Sequence, residues 1–312
     1  MLSITTGYAR EKGDPSPDLR RIANAGFSHV HWGHQIFTDF LYAKCEVKQI
    51  AAWLKEYGLA LLDLHGSAGQ EKSWTGPEEY RRLAGVELVR NRLEMTAWLG
   101  GGVVIMHADC GVNPDGTVPD PLKKSLDELE KYAGKLGVRI AIENGSWPMI
   151  RAILGAYSPA HIGLCYDSGH GNADGVGLDN LISLKDRLIS IHLNDNHGEY
   201  DPHLLPFLGT IDWVKLVTIL CSSAYTKCIS METLIGKSGI PGEEEFLAPG
   251  FRRWQPAVVH GCRDAKGTLK NITERRKSRL SRSALSLICV VRSKDGILTL
   301  LNTSHTMYSI EI

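Results

Sequence analysis

The chain alternates between short apolar runs and longer stretches in which apolar residues recur every three or four positions. The runs predict eight strands, and the stretches between them are typical of amphipathic helices. The predicted strands cover residues 2–8, 28–33, 59–65, 102–107, 138–144, 162–167, 188–195 and 227–233. The clearest helix is predicted over residues 77–99, with one apolar face formed by Leu83, Val86, Val89, Leu93 and Ala97.

This alternation predicts an α/β protein with a parallel sheet, because helical crossovers cover a parallel sheet on both faces. Eight repeats in about 250 residues fit a (β/α)8 TIM barrel, which we place at residues 1–250. A doubly wound open sheet is the alternative arrangement.

Composition narrows the class of protein. A chain of 312 residues with 43% hydrophobic content can bury a large core. Its apolar runs are shorter than the roughly 20 residues of a membrane span, and no basic region precedes a hydrophobic stretch at the start. The seven cysteines have no paired spacing, which favours reduced thiols. We therefore expect a cytoplasmic protein without a membrane partner.

The formal net charge of zero conceals an asymmetry. Residues 251–312 contain 12 Lys and Arg against 4 Asp and Glu, whereas residues 1–250 contain 23 against 31. We interpret residues 251–312 as an irregular, basic C-terminal extension that is partly disordered. Pro249 is expected to end the last barrel helix early, since proline inside a helix costs roughly 3 kcal/mol.

Two segments of the extension have sequence patterns of their own. Its basic run "TERRKSRLSRS" is typical of a solvated segment, and an arm for nucleic acid or an acidic partner is the alternative. The aliphatic stretch after it predicts a hairpin that turns at "KDG". We expect the extension to lie outside the catalytic unit.

Most of the predicted strands end in a residue type that binds metal ions. These residues are His65, His107, Glu143, Asp167, His192 and Glu232, and the following loops add His170, Asp201 and His203. In a barrel, the carboxyl ends of all strands meet on one face. A single histidine there is more often structural than a ligand, but a buried carboxylate must be paired or bound to a cation.

This mixture of carboxylates and imidazoles predicts a site for a divalent cation, namely Mn, Co, Mg or Zn. The "HWGH" motif at 31–34 is expected to shape the pocket or hold substrate hydroxyls rather than to bind metal. Cys165 is predicted to be a buried, inert thiol. The glycine-containing stretches lack the pattern of a phosphate-binding loop, and no serine lies in a nucleophile elbow.

A family resemblance rests on five motifs in order. "IAIEN", "GLCYDSGH", "ISIHLND", "DPHLLPFLGTIDW" and "SMET" together resemble the xylose-isomerase-like barrel superfamily, in its sugar phosphate isomerase and epimerase branch, over roughly residues 1–248. The resemblance implies one divalent cation bound by Glu143, Asp167, His192 and Glu232. It also implies substrate-side positions for His170 and His203, and we assign His65, His107 and Asp201 to the same substrate site. Where relatives usually have two glycines, "PFLG" keeps only Gly209.

Such a site suits the movement of a proton between neighbouring carbons of a sugar. A cation that bridges a carbonyl and the adjacent hydroxyl stabilises an enediolate, while a carboxylate accepts the proton. Two carboxylates on opposite sides of the sugar would permit epimerisation, and the resemblance gives Glu143 and Glu232 the double role of ligand and acid–base group. We expect an isomerase or epimerase acting on a sugar or sugar phosphate. The sequence does not specify the oligomeric state and is compatible with a homo-oligomer.

The same superfamily contains abasic-site nucleases of the endonuclease IV type, which bind three zinc ions. Their nine ligands match this chain in order at His65, His107, Glu143, Asp167, His170, His192, Asp201, His203 and Glu232. Against this alternative, "GSAGQEKSW" and "ENGSWP" do not resemble the nuclease's flanking sequences. The barrel portion also carries a net charge of −8, whereas a nuclease should present a basic surface around its cup, and the basic extension is only weak evidence for one. We therefore do not expect a nucleic-acid partner, and a non-catalytic sugar-binding barrel is the third possibility.

Overall fold

The computed structural model describes residues 1–67, 69–253, 257–260, 291–292 and 297–300. Eight strands form one parallel sheet: β1 (Leu2–Thr5), β2 (His29–Trp32), β3 (Ala60–His65), β4 (Val103–Met106), β5 (Arg139–Glu143), β6 (Ile162–Asp167), β7 (Leu188–His192) and β8 (Ile229–Met231). Each strand pairs with its neighbours in chain order, and β8 returns to β1. A parallel bridge from Leu193 to Met231 closes the ring. The predicted TIM barrel is confirmed.

Helices connect the strands around the outside of this barrel. They are α1 (Ser16–Asn24), α2 (Lys44–Tyr57), α3 (Glu79–Trp98), α4 (Asp120–Leu136), α5 (Trp147–Ala156), α6 (Ser168–Ala173), α7 (Gly177–Leu184), α8 (Trp213–Cys221) and α9 (Glu243–Arg253). Within the described ranges, no helix combines the length and the apolar character needed to cross a bilayer.

Side chains alternate along each strand between the helices and the barrel interior. On β5, Ile140 and Ile142 join the large core beneath the helices, whereas Ala141 joins a second apolar cluster with Cys165 of β6. The same alternation directs the next residue of each set, Glu143 and Asp167, towards the barrel axis at the carboxyl end. The apolar interior below therefore supports the polar residues above it.

Two register shifts interrupt the ladder. One lies between Val30 and His31 in the β2–β3 pairing, and the other between Leu164 and Cys165 in the β6–β7 pairing. A shift of this kind re-aims the side chains that follow it. After the shifts, His31 stands opposite Asp63, and Asp167 stands opposite His192.

Helix α3 buries most of the predicted apolar face, with one exception. Val86, Val89 and Leu93 are buried as expected, but Leu83 is 44% exposed. The buried face instead includes Gly85, where an added Cβ would lie 2.2 Å from the backbone nitrogen of Trp74. The missing side chain lets the β3–α3 loop pack closely against the helix.

The predicted early end of the last helix is wrong. Helix α9 continues through Pro249 to Arg253. Phe246 and Leu247 are almost fully buried, the Phe246 ring stacks on Tyr8 at 6.1 Å, and the Tyr8 hydroxyl donates to Glu243 at 2.6 Å. Proline removes a single N–H donor, and these tertiary contacts hold the helix despite that loss.

The extension contains more regular structure than the sequence predicted. Its described strands β9 (Ala257–His260), β10 (Val291–Arg292) and β11 (Ile297–Leu300) form an antiparallel sheet in the order β10-β11-β9. The β10–β11 pairing agrees with the predicted hairpin. The "KDG" turn at 294–296 and the basic run at 273–283 lie outside the described residues.

Candidate active site and metal centre

A cavity of about 690 Å³ opens at the carboxyl ends of the strands. Its volume lies within the roughly 300–1,000 Å³ that is usual for small-molecule sites. Glu143 and Glu232 contribute to it together with four of the predicted histidines, His65, His107, His170 and His203. Its other lining residues are Thr5, Gly7, Glu11, Gly33, Ile36, Phe37, Asp109, Asn144, Gly145, Ala173, Asp174 and Leu234.

Four buried residues form what we call the inner cluster: Glu143, Asp167, His192 and Glu232. One potential ligand atom of each lies within 4.8 Å of those of the other three. His192 Nδ1 is 2.7 Å from Glu143 Oε1 and 2.9 Å from Glu232 Oε2. The structure thus brings together the four residues for which the sequence predicted a metal-binding role.

The electrostatics of the inner cluster reflect three carboxyl groups buried side by side. Burial alone would raise the pKa of Glu143, but the imidazoles of His192 and His107 lower it well below its ordinary value. Glu232 follows the same pattern, with burial opposed by His192 and His31. Burial raises the pKa of Asp167 to about 6, against the opposing effect of His170. This much buried carboxylate requires positive charge from imidazolium groups or from a cation.

The donor set fits a divalent cation. Glu143 Oε2 is buried without a hydrogen-bond donor, although His65 Nε2 and His107 Nε2 each lie 3.2 Å away. Burial opposes protonation of His107, but Glu143 raises its pKa to about 9. An unsatisfied buried oxygen at the centre of an imidazole and carboxylate cluster is what a hard or borderline metal ion would bind.

A second group, which we call the outer cluster, consists of His170, Asp201 and His203. The Nε2 atoms of both histidines lie 3.7 Å from Asp201 Oδ2, which is itself buried without a hydrogen-bond donor. His170 Nδ1 donates to the carbonyl of Asn144 at 3.2 Å, and His203 Nδ1 donates to the carbonyl of Glu232 at 2.8 Å. These bonds leave Nε2 of each ring available as an acceptor or ligand.

His65 and His107 approach the Oε2 atom of Glu143, whereas His192 contacts its Oε1 atom. His65 Nδ1 donates to the carbonyl of Gly66 at 2.9 Å, so its Nε2 is also directed at the carboxylate. His65, His107 and Glu143 together form a third group that could bind a metal ion. All nine residues singled out by the sequence therefore lie in one connected site.

The sequence did not single out two asparagines that hydrogen-bond to Asp167 and hold it in place. Asn194 Nδ2 donates to Asp167 Oδ2 at 2.7 Å, and the Asn144 side chain pairs with the backbone nitrogen and carbonyl of Asp167 at 2.5 and 2.9 Å. The only sequence signal was their position, one residue after Glu143 and two after His192.

The two "HWGH" histidines lie behind the cavity wall, to which Gly33 of the same motif contributes. His31 is fully buried and His34 is nearly so, and neither lines the cavity. His31 instead pairs with Asp63 at 2.9 Å. Cys165 is a buried free thiol whose pKa burial raises, as the sequence predicted.

The loop after β7 accommodates the unusual "PFLG" sequence. Phe207 has a φ of 74°, a left-handed conformation that glycine adopts at lower cost, and its ring packs against Trp213 at 4.6 Å. Asp195 accepts hydrogen bonds from Phe207 N and Trp213 Nε1, both at 2.9 Å. Gly209 permits a close approach, because a Cβ there would lie 2.0 Å from the carbonyl of Asn196. The loop therefore keeps a fixed shape beside the outer cluster.

Comparisons with known proteins agree with this architecture. The chain is 30% identical to y4fM, an uncharacterized protein of Sinorhizobium fredii, over 247 residues that cover 69% of this chain and 79% of that protein. A D-tagatose 3-epimerase-like protein has a similar fold, with a TM-score of 0.63 and 18% identity over 89% of this chain and 99% of the other. The zinc-containing structure of an IOLI protein gives a TM-score of 0.61 and 17% identity over 88% and 98% of the two chains. Residues 19–249 match the family model of the xylose isomerase-like TIM barrel, and the chain belongs to that family.

Proposed function

We propose that this protein is a divalent-metal-dependent isomerase or epimerase of small sugars. The observation that carries the proposal is the placement of two buried carboxylates, Glu143 and Glu232, on either side of His192 Nδ1 at the floor of the cavity. Glu143 ends β5, and Glu232 directly follows β8. The similarity to structures named as sugar epimerases gives the proposal further support.

Each group has a part in this reaction. A divalent cation held by Glu143, Asp167, His192 and Glu232 would supply the positive charge that eases removal of a proton beside a carbonyl. One glutamate takes the proton from a sugar carbon, and the other returns a proton from the opposite side. His170 and His203 present Nε2 to sugar hydroxyls, while Ile36 and Phe37 form an apolar wall against the carbon skeleton.

We further propose that the sugar carries no phosphate. Among the described residues that line the cavity there is no Lys or Arg, and Glu11, Asp109 and Asp174 add carboxylates to the two glutamates of the floor. A phosphate group would meet negative charge without a compensating cationic side chain. An uncharged sugar needs only hydrogen-bond partners for its hydroxyl groups, and the histidines and carboxylates supply them.

A trinuclear zinc phosphoesterase of the endonuclease IV type is the second candidate. It is favoured by three of the five groups of potential metal ligands among the described residues, namely His65 and His107 with Glu143, the inner cluster and the outer cluster. The same carboxylates that disfavour a sugar phosphate also disfavour a DNA backbone. We therefore place this candidate second.

The test is solvent deuterium exchange. The protein is incubated with Mn²⁺ or Co²⁺ in D₂O with a panel of unphosphorylated ketoses and their phosphates, and NMR follows deuterium at carbons next to the carbonyl. We expect exchange and product formation with at least one unphosphorylated ketose, and neither with Glu232→Gln. Absence of exchange with every sugar, together with cleavage of abasic-site DNA by the zinc-loaded protein, would replace this proposal with the second candidate.

A further inference from the structure

A buried polar pair lies directly beneath the inner cluster. His31 of β2 and Asp63 of β3 stand opposite each other because of the register shift after Val30, and His31 Nδ1 is 2.9 Å from Asp63 Oδ1. The Ser190 hydroxyl of β7 donates to Asp63 Oδ2. All three side chains are at most 1% exposed, so solvent does not satisfy them.

The other side of the His31 ring faces a residue of the inner cluster. His31 Nε2 lies 3.4 Å from Glu232 Oε1, while Glu232 Oε2 lies 2.9 Å from His192 Nδ1. The His31 and His192 rings are in edge contact, with centroids 4.3 Å apart. One carboxylate oxygen of Glu232 thus faces the inner cluster, and the other faces His31.

If the His31–Asp63 pair had only a structural role, apolar side chains at these two positions would stabilise the barrel at least as well. Neighbouring interior positions hold Ile105 and Ala141, and a buried ionic pair is often no more stable than well-packed hydrophobic residues. The Asp63–His31 pair ends at a specific oxygen of Glu232 rather than at the backbone. Partners of this kind fix the orientation of metal ligands.

We propose that His31 is a positioning residue that orients the Glu232 carboxylate, and that Asp63 and Ser190 hold His31 in place. This inference rests on the metal centre of the proposed function. It assigns a role to the one "HWGH" histidine that lies beside a predicted ligand, and it explains why β2 contributes to a site whose predicted ligands lie on β5 to β8.

The experiment measures binding of Mn²⁺ alone by titration calorimetry and the visible spectrum of bound Co²⁺, using the full chain. We expect His31→Gln and Asp63→Asn to weaken Mn²⁺ binding by about 10- to 100-fold. They should also shift the Co²⁺ bands, because the geometry at Glu232 changes. Ser190→Ala removes only a hydroxyl and should weaken binding to a smaller extent, which keeps the test available if Asp63→Asn does not fold.

Asp18→Asn is the matched control. Asp18 is an equally buried carboxylate that pairs with Arg10 and Arg21 at 3.1 Å, but it lies on α1 and does not line the cavity. We expect this variant to lose thermal stability and to keep parental Mn²⁺ affinity and the parental Co²⁺ spectrum.

Several outcomes would overturn the inference. Parental affinity and spectrum in folded His31→Gln and Asp63→Asn would reduce the pair to a structural role. Loss of binding in His31→Gln as complete as in Glu232→Gln would make His31 a ligand instead. If the double variant His31→Gln with Asp63→Asn binds Mn²⁺ clearly more weakly than His31→Gln alone, His31 and Asp63 act separately. If the parent protein itself binds neither ion, the proposed metal centre fails and this inference fails with it.

Discussion

The inner and outer clusters differ in how the fold holds them. Inner-cluster residues lie at the ends of β5 to β7 or immediately after β8, and their side chains are at most 9% exposed. Outer-cluster residues lie on α6 and on the loop after β7, with side chains 12–30% exposed. A site on strands is held more rigidly than one on loops. The difference favours a metal ion at the buried inner cluster and a substrate contact at the more exposed outer one.

The two clusters also differ in chemistry. The inner cluster has three carboxylates and one imidazole, a set that suits several divalent ions, whereas the outer cluster has two imidazoles and one carboxylate. The outer set would suit zinc if it bound a metal at all. Whether the outer cluster holds a metal ion therefore separates the sugar enzyme from the trinuclear phosphoesterase.

The largest effect is expected at the two glutamates. Glu143→Gln and Glu232→Gln should each lower turnover by at least about 10²–10⁴-fold, because each removes an acid–base group. Metal content should fall in both variants, and circular dichroism should show an intact barrel. Near-normal activity in either variant would refute the proposed acid–base pair.

A smaller effect is expected in the outer cluster. His170→Ala and His203→Ala should raise KM by roughly fivefold each, consistent with loss of a hydrogen bond worth about 1 kcal/mol, and should leave the metal content unchanged. His197→Ala is the control, since His197 is exposed on the same loop and does not line the cavity. Loss of a bound metal ion from the outer-cluster variants would make that cluster a second metal site.

A further prediction concerns His65 and His107, which contact the Oε2 atom of Glu143. We expect His65→Ala and His107→Ala to weaken substrate binding or turnover severalfold while the principal cation stays bound, because the four inner ligands remain. Elemental analysis of the variants checks this prediction. Loss of abasic-DNA cleavage together with two zinc equivalents would contradict the sugar assignment.

The smallest effect is expected from the extension. A chain truncated after residue 255 keeps the whole of α9 and every residue of the cavity, so it should retain metal binding and catalysis. Limited proteolysis followed by an activity assay checks this. If residues 256–312 resist protease as firmly as the barrel, and their removal abolishes activity, the extension belongs to the enzyme.

The sequence predicted the barrel and singled out nine residues that the structure brings into one candidate site, because each strand is a short apolar run and most of these runs end in a ligand type. It did not predict the Asp63–His31 pair, since their pairing depends on a register shift that local periodicity does not encode. Nor did it predict that α9 passes through Pro249 or that Leu83 faces solvent. The course of α9 depends on tertiary contacts such as that of Phe246 with Tyr8, which local periodicity does not encode.

We expect the inner cluster to bind one divalent cation and the outer cluster to bind none. Metal analysis of the purified protein, after loading with Mn²⁺, Co²⁺ or Zn²⁺ and exhaustive dialysis, measures this directly. We predict one tightly bound equivalent per chain, which Glu143→Gln and Glu232→Gln lose and His203→Ala keeps. If the protein retains three equivalents of zinc, and His203→Ala retains two, the single-metal site is wrong and the trinuclear phosphoesterase is favoured.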